Sequence, residues 1–256
     1  MSSTSCMRVV LVSAVLAFGV PGLAAAQAEL PQGEAAWTLE GAHREATPTR
    51  EHVSLGGLWQ WQPAGEALDT VPTDGWGYLR VPTPWPSGRD SRRRGENFLP
   101  NPAWSADQLR DVTAAWYQVT VPIPAEWEGR RIALSAEFLN SFATVYVDGR
   151  KVGDMQFPAG ELDLTAVCRP GGQHVVSMLV LAVPLRAVML AFNDTDAARE
   201  VAGTVARRGL CGDVCLVAAP RGARVGPMRV ETSVREGRIT FDTMLHDVDP
   251  AGAYRL

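Results

Sequence analysis

Short runs in which apolar residues alternate with polar ones are the feature that most constrains the fold of this chain. A repeat of two residues puts successive side chains on opposite faces of a strand, whereas an amphipathic helix repeats about every 3.6 residues. Glycine, proline or aspartate ends most of the runs, as at turns between strands. The pattern therefore predicts an all-β protein with sandwich architecture. The predicted strands are residues 52–61, 78–81, 116–121, 131–137, 142–147, 174–183 and 213–218.

Two hairpins are predicted from their turn residues. Asp148-Gly149 separates two β-prone runs, and both residues tolerate the positive φ angles of a type I′ turn. Farther along, Arg235-Glu236-Gly237 joins the predicted strands 228–234 and 238–245. This last pair follows a break near Pro220 and lacks the further strands that would close a sheet, so the chain looks truncated.

Helix signals are few. Residues 103–112 follow a proline and residues 194–206 are rich in alanine and charge, so each segment is predicted to be a short helix or an ordered loop. The stretch 83–111 is too long for a hairpin connection, and loops of that length usually serve a function or are flexible.

The first residues have the features of a secretory signal peptide. Arg8 precedes the apolar run 9–23, which is short for a membrane span, and small residues follow it. Cleavage is expected after Ala26 or Ala28, and the alternative is an uncleaved anchor. We therefore expect residues 1–26 to be a signal peptide and the mature protein to be secreted or periplasmic, with no membrane partner.

The charge balance argues against binding to nucleic acid. The 256 residues carry 24 Lys and Arg against 28 Asp and Glu, a formal net charge of -4. Proteins that bind by neutralising phosphates need a basic face. A hydrophobic content of 46% is enough for a sizeable core, so a soluble globular protein without a nucleic-acid partner is expected.

The cysteines and histidines indicate neither a metal site nor another cofactor. Cys211 and Cys215 are four residues apart in a segment with a strand-like pattern, which would separate them by about 13 Å, too far for a mutual disulfide. Cys168 could pair with either, but buried free thiols are the favoured interpretation. The histidines form no HxxxH pattern and the cysteines no CxxC, so no cofactor is expected.

Motifs for self-contained catalysis are missing from the sequence. It has no GxSxG, HExxH, GxGxxG or phosphate-binding Walker loop. Retaining glycoside hydrolysis needs two carboxyl groups about 5 to 5.5 Å apart, and no pair of acids is marked by its spacing. We therefore expect no catalysis by this chain alone and assign no catalytic residue.

The tryptophans are concentrated in the first half, where all eight lie between Trp37 and Trp127. An exposed indole face could stack on a sugar ring, but large aromatic side chains more often pack in cores. Packing is the favoured interpretation for each of them except Trp85, whose proline-rich loop makes it a candidate for sugar stacking.

Six segments in a constant order resemble one enzyme family. They are SLGGLW at 54–59, VPTPW at 81–85, AWYQVTVP at 115–122, WEGRRIAL at 127–134, ATVYVDGR at 143–150 and RGLCGDVCL at 208–216. Together they resemble the N-terminal sugar-binding domain of glycoside hydrolase family 2, which includes β-galactosidases, β-glucuronidases and β-mannosidases.

The resemblance implies a galactose-binding-like jelly roll at 51–220, preceded by a lead segment at 27–50 and followed at 224–256 by the first strands of an immunoglobulin-like domain. In this family the catalytic acid/base is a glutamate directly after an asparagine on a (β/α)8 barrel, and that dipeptide occurs nowhere in this chain. The implied role is a non-catalytic accessory domain of an exported glycosidase acting on β-glycosides, with the barrel of a longer parent chain as its partner.

Two other functions stay open, a stand-alone carbohydrate-binding module and a structural β-sandwich without sugar affinity. The strands after Pro220 favour the accessory domain, because a module that works alone should end there.

Loops rather than strands are expected to contact the carbohydrate, since a rigid sheet usually presents binding residues on loops. Similar loops in some family members reach toward the barrel pocket, which points to Trp85 and Asn97 in one loop and to Asp194, Asp196 and Arg208 in another. The polar side chains could bond to sugar hydroxyls, and the equally open alternative makes them loop caps and turn residues. These five residues are the predicted substrate-binding residues.

Overall fold

A computed structural model describes residues 37–86, 95–109, 112–183, 186–192, 198–204, 207–249 and 251–252. Strands make up most of this part of the chain, beside one short helix, α1 (Ala106–Leu109), and a 3₁₀ turn at Ala125–Trp127. No helix within the described ranges is long and apolar enough to cross a membrane. The predicted all-β sandwich is confirmed.

The strands follow one another with short connections. They are β1 (Arg44–Ala46), β2 (Glu51–Ser54), β3 (Gly57–Pro63), β4 (Gly77–Val81), β5 (Phe98–Leu99), β6 (Ala114–Pro122), β7 (Arg131–Ala136), β8 (Leu139–Asn140), β9 (Phe142–Val147), β10 (Arg150–Gln156), β11 (Gly160–Asp163), β12 (Gln173–Leu181), β13 (Arg186–Phe192), β14 (Ala198–Thr204), β15 (Gly209–Leu210), β16 (Val214–Ala219), β17 (Arg224–Ser233) and β18 (Arg238–His246).

Two antiparallel sheets form the sandwich. The smaller sheet has the strand order β1-β2-β16-β7-β11, and the larger has the order β10-β9-β12-β6-β3-β4-β5. β12 is central to the larger sheet, because Leu179 lies opposite Trp116 of β6 on one side and Thr144 of β9 on the other. The pairs β8-β15, β13-β14 and β17-β18 are separate two-stranded units.

Aromatic side chains fill the space between the two sheets. Trp59, Trp61 and Tyr117 of the larger sheet and Trp127 of the 3₁₀ turn are fully buried, and Trp61 meets the Phe98 ring edge to face at 5.6 Å. Burying one such ring removes about 150 to 250 Å² from water, worth about 4 to 6 kcal/mol as an upper estimate. Trp37, Trp76, Trp104 and Trp116 are buried as well, which confirms the predicted packing. Trp85, the predicted exception, is buried too.

The larger sheet is also covered on part of its outer face. Trp116, Tyr146 and Leu179 form a second buried cluster there together with Trp76, and the Trp116 and Tyr146 ring centroids are 5.4 Å apart. The cover comes from segment 64–76, because Trp76 and other apolar residues of that segment pack on the cluster. We call this segment the 64–76 wall, since it stands above the sheet surface.

The predicted strand 52–61 is two strands in different sheets. β2 lies in the smaller sheet and β3 in the larger, and the chain crosses between them at Leu55-Gly56. Leu55 is fully buried, and its carbonyl accepts a hydrogen bond of 2.8 Å from Trp59 Nε1. The apolar alternation continues through this crossing because the corner itself lies in the core, which hides the break from the sequence pattern.

The expectation of a helix or ordered loop at 194–206 is wrong for the described part of that segment. β14 pairs with β13 there, with Ala202 opposite Val188. Cross-strand pairing outweighs the helix propensity of the alanines. At 103–112 the expectation of a short helix is confirmed, but α1 has only four residues.

The predicted type I′ hairpin is confirmed by the φ angles of Asp148 and Gly149, which are 49° and 77°. The Asp148 carboxylate accepts hydrogen bonds from the Val175 amide at 2.9 Å and the His174 Nδ1 at 2.7 Å. The Arg169 amide donates to His174 Nε2, so Nδ1 carries the ring proton. Burial raises the pKa of Asp148, but these hydrogen bonds outweigh it and lower that pKa below its ordinary value.

The three cysteines of the described residues are free, as the favoured interpretation predicted. Cys168 is buried and Cys211 and Cys215 are half-buried. Burial raises the pKa of Cys168 to about 12 and the pKa values of the other two to about 11. All three are therefore thiols rather than reactive thiolates at neutral pH.

The last two strands form a separate ribbon, β17-β18, around the predicted turn. Its register puts Val230 opposite Phe241 on an apolar face, where these side chains are 52% and 63% exposed. A two-stranded hairpin is marginally stable on its own in water. That these strands begin an immunoglobulin-like domain stays a prediction.

The hairpin turn can be tested by substitution of its glycine. Gly149→Val should lower the free energy of unfolding by about 1 to 2 kcal/mol, because a positive φ is costly for a β-branched residue. A Cβ at this position meets no atom within 4 Å, so the cost is conformational. Gly149→Asn is the matched control and should cost clearly less in urea unfolding, since asparagine tolerates positive φ. Equal losses in the two variants would contradict the assigned turn.

Candidate functional site

Residues of two loops meet the core at Tyr117, and we call this group, Trp85, Tyr117, Arg208 and Gly209, the Trp85 cluster. Trp85 follows β4, Tyr117 lies on β6, and the other two lie at the start of β15. Trp85 Nε1 donates a hydrogen bond of 2.6 Å to Tyr117 Oη, and the Leu210 amide donates to the same oxygen at 3.4 Å. Burial raises the pKa of Tyr117 above its ordinary value, so its hydroxyl stays neutral and acts as the acceptor.

Arg208 connects three segments of this cluster. Its guanidinium donates to the Val112 carbonyl at 2.7 Å, and its Cζ lies 6.0 Å from the centroid of the Trp85 ring. Its own carbonyl accepts a hydrogen bond of 3.0 Å from the Trp85 amide. Half-buried and bonded in this way, Arg208 holds the loop after β4 against the loop before β15.

Gly209 leaves the space that the indole occupies. Its φ is 100°, and a Cβ built there would lie 2.5 Å from both Trp85 Nε1 and Tyr117 Oη. Both the positive φ and the short distances exclude a larger residue. Sequence analysis missed this role, although the glycine directly after a charged residue and before an apolar strand was a visible signal.

The prediction that Trp85 exposes an indole face to a sugar is wrong. The side chain is only 4% exposed, and its ring N–H is used by Tyr117. The proline-rich loop suggested exposure, but the partner hydroxyl and the space beside Gly209 lie far away in sequence. In this structure Trp85 is a packing residue that holds its loop on the core.

Asn97 lies apart from the Trp85 cluster. Its side-chain oxygen accepts a hydrogen bond of 3.1 Å from Arg80 Nε, and its carbonyl accepts one of 2.9 Å from the Arg80 amide. These bonds fit the alternative role of a turn residue beside β4 and β5. Asp194 and Asp196 lie outside the described residues. Of the five predicted site residues, the structure therefore brings together Trp85 and Arg208.

Two buried polar residues near the same loops were not identified from the sequence. Asn140 donates from its side-chain amide to the Arg207 carbonyl, and Ser141 Oγ accepts a hydrogen bond of 3.0 Å from the Val183 amide. Both side chains are enclosed and bonded to backbone. Asn140 fastens the segment around β8 to the loop before β15, and Ser141 fastens it to the segment after β12, which is a structural role.

Asp163 of the smaller sheet is unsuited to acid catalysis. Asp163 accepts hydrogen bonds from Arg131 Nε at 2.7 Å and from the Thr165 amide at 2.8 Å. Burial raises the pKa of Asp163, but the bonds from Thr165 and Arg131 outweigh it and lower that pKa below its ordinary value. The pKa of Asp154, on the larger sheet, is lowered too. A glycosidase acid needs a raised pKa.

A cleft of about 1330 Å³ lies between the sandwich and the β17-β18 ribbon. Arg50, Arg131 and Glu161 line one side, and Arg224 and His246 line the other. Glu161 accepts hydrogen bonds from Arg131 at 2.6 Å and from Arg50 at 2.8 Å, so these charges satisfy one another. Within the described part of the chain, no group of three or more His, Cys, Asp or Glu could hold a metal ion.

Comparison with known proteins finds similarity in structure alone. No protein-family model and no curated protein matches the chain. A β-glucuronidase of an uncultured Clostridium species matches with a TM-score of 0.55 and 16% identity over 80% of this chain and 35% of that one. The ligand-free β-glucuronidase of Ruminococcus gnavus matches with a TM-score of 0.56 and 18% identity over 80% of this chain and 35% of that one. The β-glucuronidase of Faecalibacterium prausnitzii matches with a TM-score of 0.55 and 17% identity over 79% of this chain and 37% of that one.

This similarity shows a shared fold. The sandwich is of a kind that occurs within β-glucuronidases, which agrees with the family 2 resemblance at the level of architecture. The chain spans about a third of the length of these proteins.

The Trp85 cluster predicts a large effect of one added methyl group. Gly209→Ala should lower the free energy of unfolding by about 3 kcal/mol, because overpacking adds to the cost of a positive φ. Gly222→Ala is the matched control, since Gly222 has a similar positive φ, 104°, but no atom lies within 4 Å of its Cβ position. Urea unfolding should show the control losing about 1 kcal/mol. Similar losses in the two variants would contradict the close contact.

Proposed function

We propose that this chain is the non-catalytic accessory domain of an exported family 2 glycosidase that acts on β-glycosides. The observation that carries the proposal is the extent of the fold similarity, which covers 80% of this chain but only 35% of the matched β-glucuronidases. The six sequence segments between 54 and 216 favour the same family. The catalytic barrel of a longer parent chain would be the partner of the sandwich.

The chemistry of three described aspartates is consistent with a non-catalytic role. Asp148, Asp154 and Asp163 all have pKa values below their ordinary range, so they are ionised at neutral pH. Hydrolysis of a glycoside needs one protonated carboxyl group and a second, ionised one beside it. In this proposal the parent barrel supplies that pair.

The Trp85 cluster would position sugar-contacting loops rather than stack on the sugar. Trp85 and Arg208 fix the two loops on the core through Tyr117 and the Val112 carbonyl. Asn97, Asp194 and Asp196 remain proposed contacts for the hydroxyls of a β-glycoside. Export to a secreted or periplasmic location, after removal of residues 1–26, belongs to the same proposal.

A stand-alone carbohydrate-binding module is the second candidate. It is favoured by the core, because none of the buried core residues in the described ranges comes from β17 or β18. The coding sequence after Leu256 separates the two candidates. A continuation of about 300 codons or more with an Asn-Glu dipeptide supports the accessory domain, whereas an immediate stop codon supports the module.

The proposal predicts that the purified mature chain hydrolyses no p-nitrophenyl β-glucuronide, β-galactoside or β-mannoside. The physical reason is that, in this proposal, the barrel of the parent chain supplies the required pair of carboxyl groups. Release of nitrophenol should equal that of buffer at every gel-filtration fraction, and an active family 2 β-glucuronidase is the positive control. Turnover that follows the protein peak and persists after a second purification step would contradict the proposal.

A further inference from the structure

One register row on the outer face of the larger sheet carries polar side chains on five adjacent strands. Tyr78 of β4 lies opposite Gln60 of β3, and Gln60 lies opposite Gln118 of β6. Gln118 lies opposite Ser177 of β12, which lies opposite Tyr146 of β9. We call these five residues the polar row. With neighbouring strands about 4.8 Å apart, the row extends about 19 Å across the sheet.

The alternation of the strands fixes the direction of these side chains. Their sequence neighbours Trp59, Trp61, Leu79 and Tyr117 lie in the core between the two sheets. Successive side chains of a strand point to opposite faces. The polar row therefore lies on the face away from the core.

Several hydrogen-bonding groups of the row are unused. Gln118 donates to Ser177 Oγ at 3.0 Å. The Gln60 amide and the hydroxyls of Tyr78 and Tyr146 have no hydrogen-bond partner among the residues that the structure describes. Ser177 is fully buried and Tyr146 is only 7% exposed, with its hydroxyl not fully enclosed, so Tyr78, Gln60 and Gln118 are the more accessible members of the row.

Partial burial increases the free energy that these unpaired polar groups would gain from a hydrogen bond to a ligand. Gln60 and Tyr78 are half-buried, and burial raises the pKa of Tyr78 above its ordinary value. A polar group that has lost part of its water without gaining a partner gains more from a new hydrogen bond than a fully hydrated group does. The row therefore presents amides and phenol hydroxyls that can both donate and accept.

The 64–76 wall packs on the sheet next to the polar row. The next register row contains Gln62, Trp116 and Leu179, and Trp76 of the wall packs on Trp116 and Leu179. Gln62 donates a hydrogen bond of 2.9 Å to the Asp74 carbonyl and so fixes the wall to the sheet. The polar row is the register row beside the one that this wall covers, and the wall also packs on Tyr146 at one end of the polar row.

We propose that the polar row binds a neutral oligosaccharide that lies across the strands beside the 64–76 wall. Sugar hydroxyls match groups that donate and accept, and the half-buried ring of Tyr78 offers apolar surface to the sugar C–H groups. The cation at the β10 end of the row, Lys151, is paired with Asp154 at 2.9 Å, so a charged ligand gains little there. This site deepens the proposed function, because it adds a sugar-binding surface separate from the Trp85 cluster.

The full chain provides the test, by ¹⁵N NMR titration with cellohexaose, mannohexaose and xylohexaose. At least one of these should shift the amide signals of residues 60, 78, 118 and 146 with a Kd below about 1 mM. Gln60→Ala/Gln118→Ala should weaken that binding about 10-fold or more, and Tyr146→Phe should weaken it about 5-fold. Gln173→Ala is the matched control, because Gln173 is an exposed glutamine at the end of β12, and its Kd should be unchanged.

Three results would overturn this site. They are no shift with any hexaose, shifts confined to other residues, and equal affinity of the double variant at an unchanged melting temperature. Self-association of the chain that the double variant abolishes would assign the row to protein contact and also overturn it. The absence of turnover on nitrophenyl glycosides is measured separately, so failure here is distinguishable from failure of the proposed accessory role.

Discussion

Packing of aromatic rings between two unequal sheets is the interaction on which the rest of the structure depends. Trp59 and Trp61 of β3 and Tyr117 of β6 enter this layer from the larger sheet, and Trp127 enters from the 3₁₀ turn. The ring N–H groups of Trp59 and Trp127 also donate hydrogen bonds to other parts of the sandwich. Trp59 Nε1 donates to the Leu55 carbonyl at the crossing between sheets, and Trp127 Nε1 donates to the Glu51 carboxylate at 2.8 Å. Loss of these two rings would therefore remove both buried apolar surface and the hydrogen bonds to Leu55 and Glu51.

The same layer explains where the loops lie. Tyr117 is a core residue whose hydroxyl receives the Trp85 indole, so the loop after β4 is held by the core itself. Arg208 joins that loop to the one before β15. A rigid sheet that fixes its loops in this way is typical of domains that present a binding surface. On the outer face of the larger sheet, the 64–76 wall and the polar row lie side by side.

Local patterns predicted the parts of the fold that depend on local physics. Strand β9 was predicted at its observed bounds, and the Asp148-Gly149 turn followed from the tolerance of both residues for positive φ. The crossing at Leu55-Gly56 was missed because it depends on contacts between sheets. β14 was missed because its partner strand outweighs the helix propensity of its alanines. The burial of Trp85 was not predicted because the two residues that cause it are remote in sequence. Tyr117 accepts its hydrogen bond, and Gly209 leaves space for its ring.

The central claim is that an aromatic-cored sandwich forms one cooperative unit and that the β17-β18 ribbon contributes nothing to its core. Hydrogen–deuterium exchange of the full chain tests this claim most directly. The account predicts that amides of β3, β6 and β12 exchange only through global unfolding. It predicts that amides of β17 and β18 exchange at least about 100-fold faster, as expected for a marginally stable ribbon. Equal protection of the ribbon and the three central strands would contradict it.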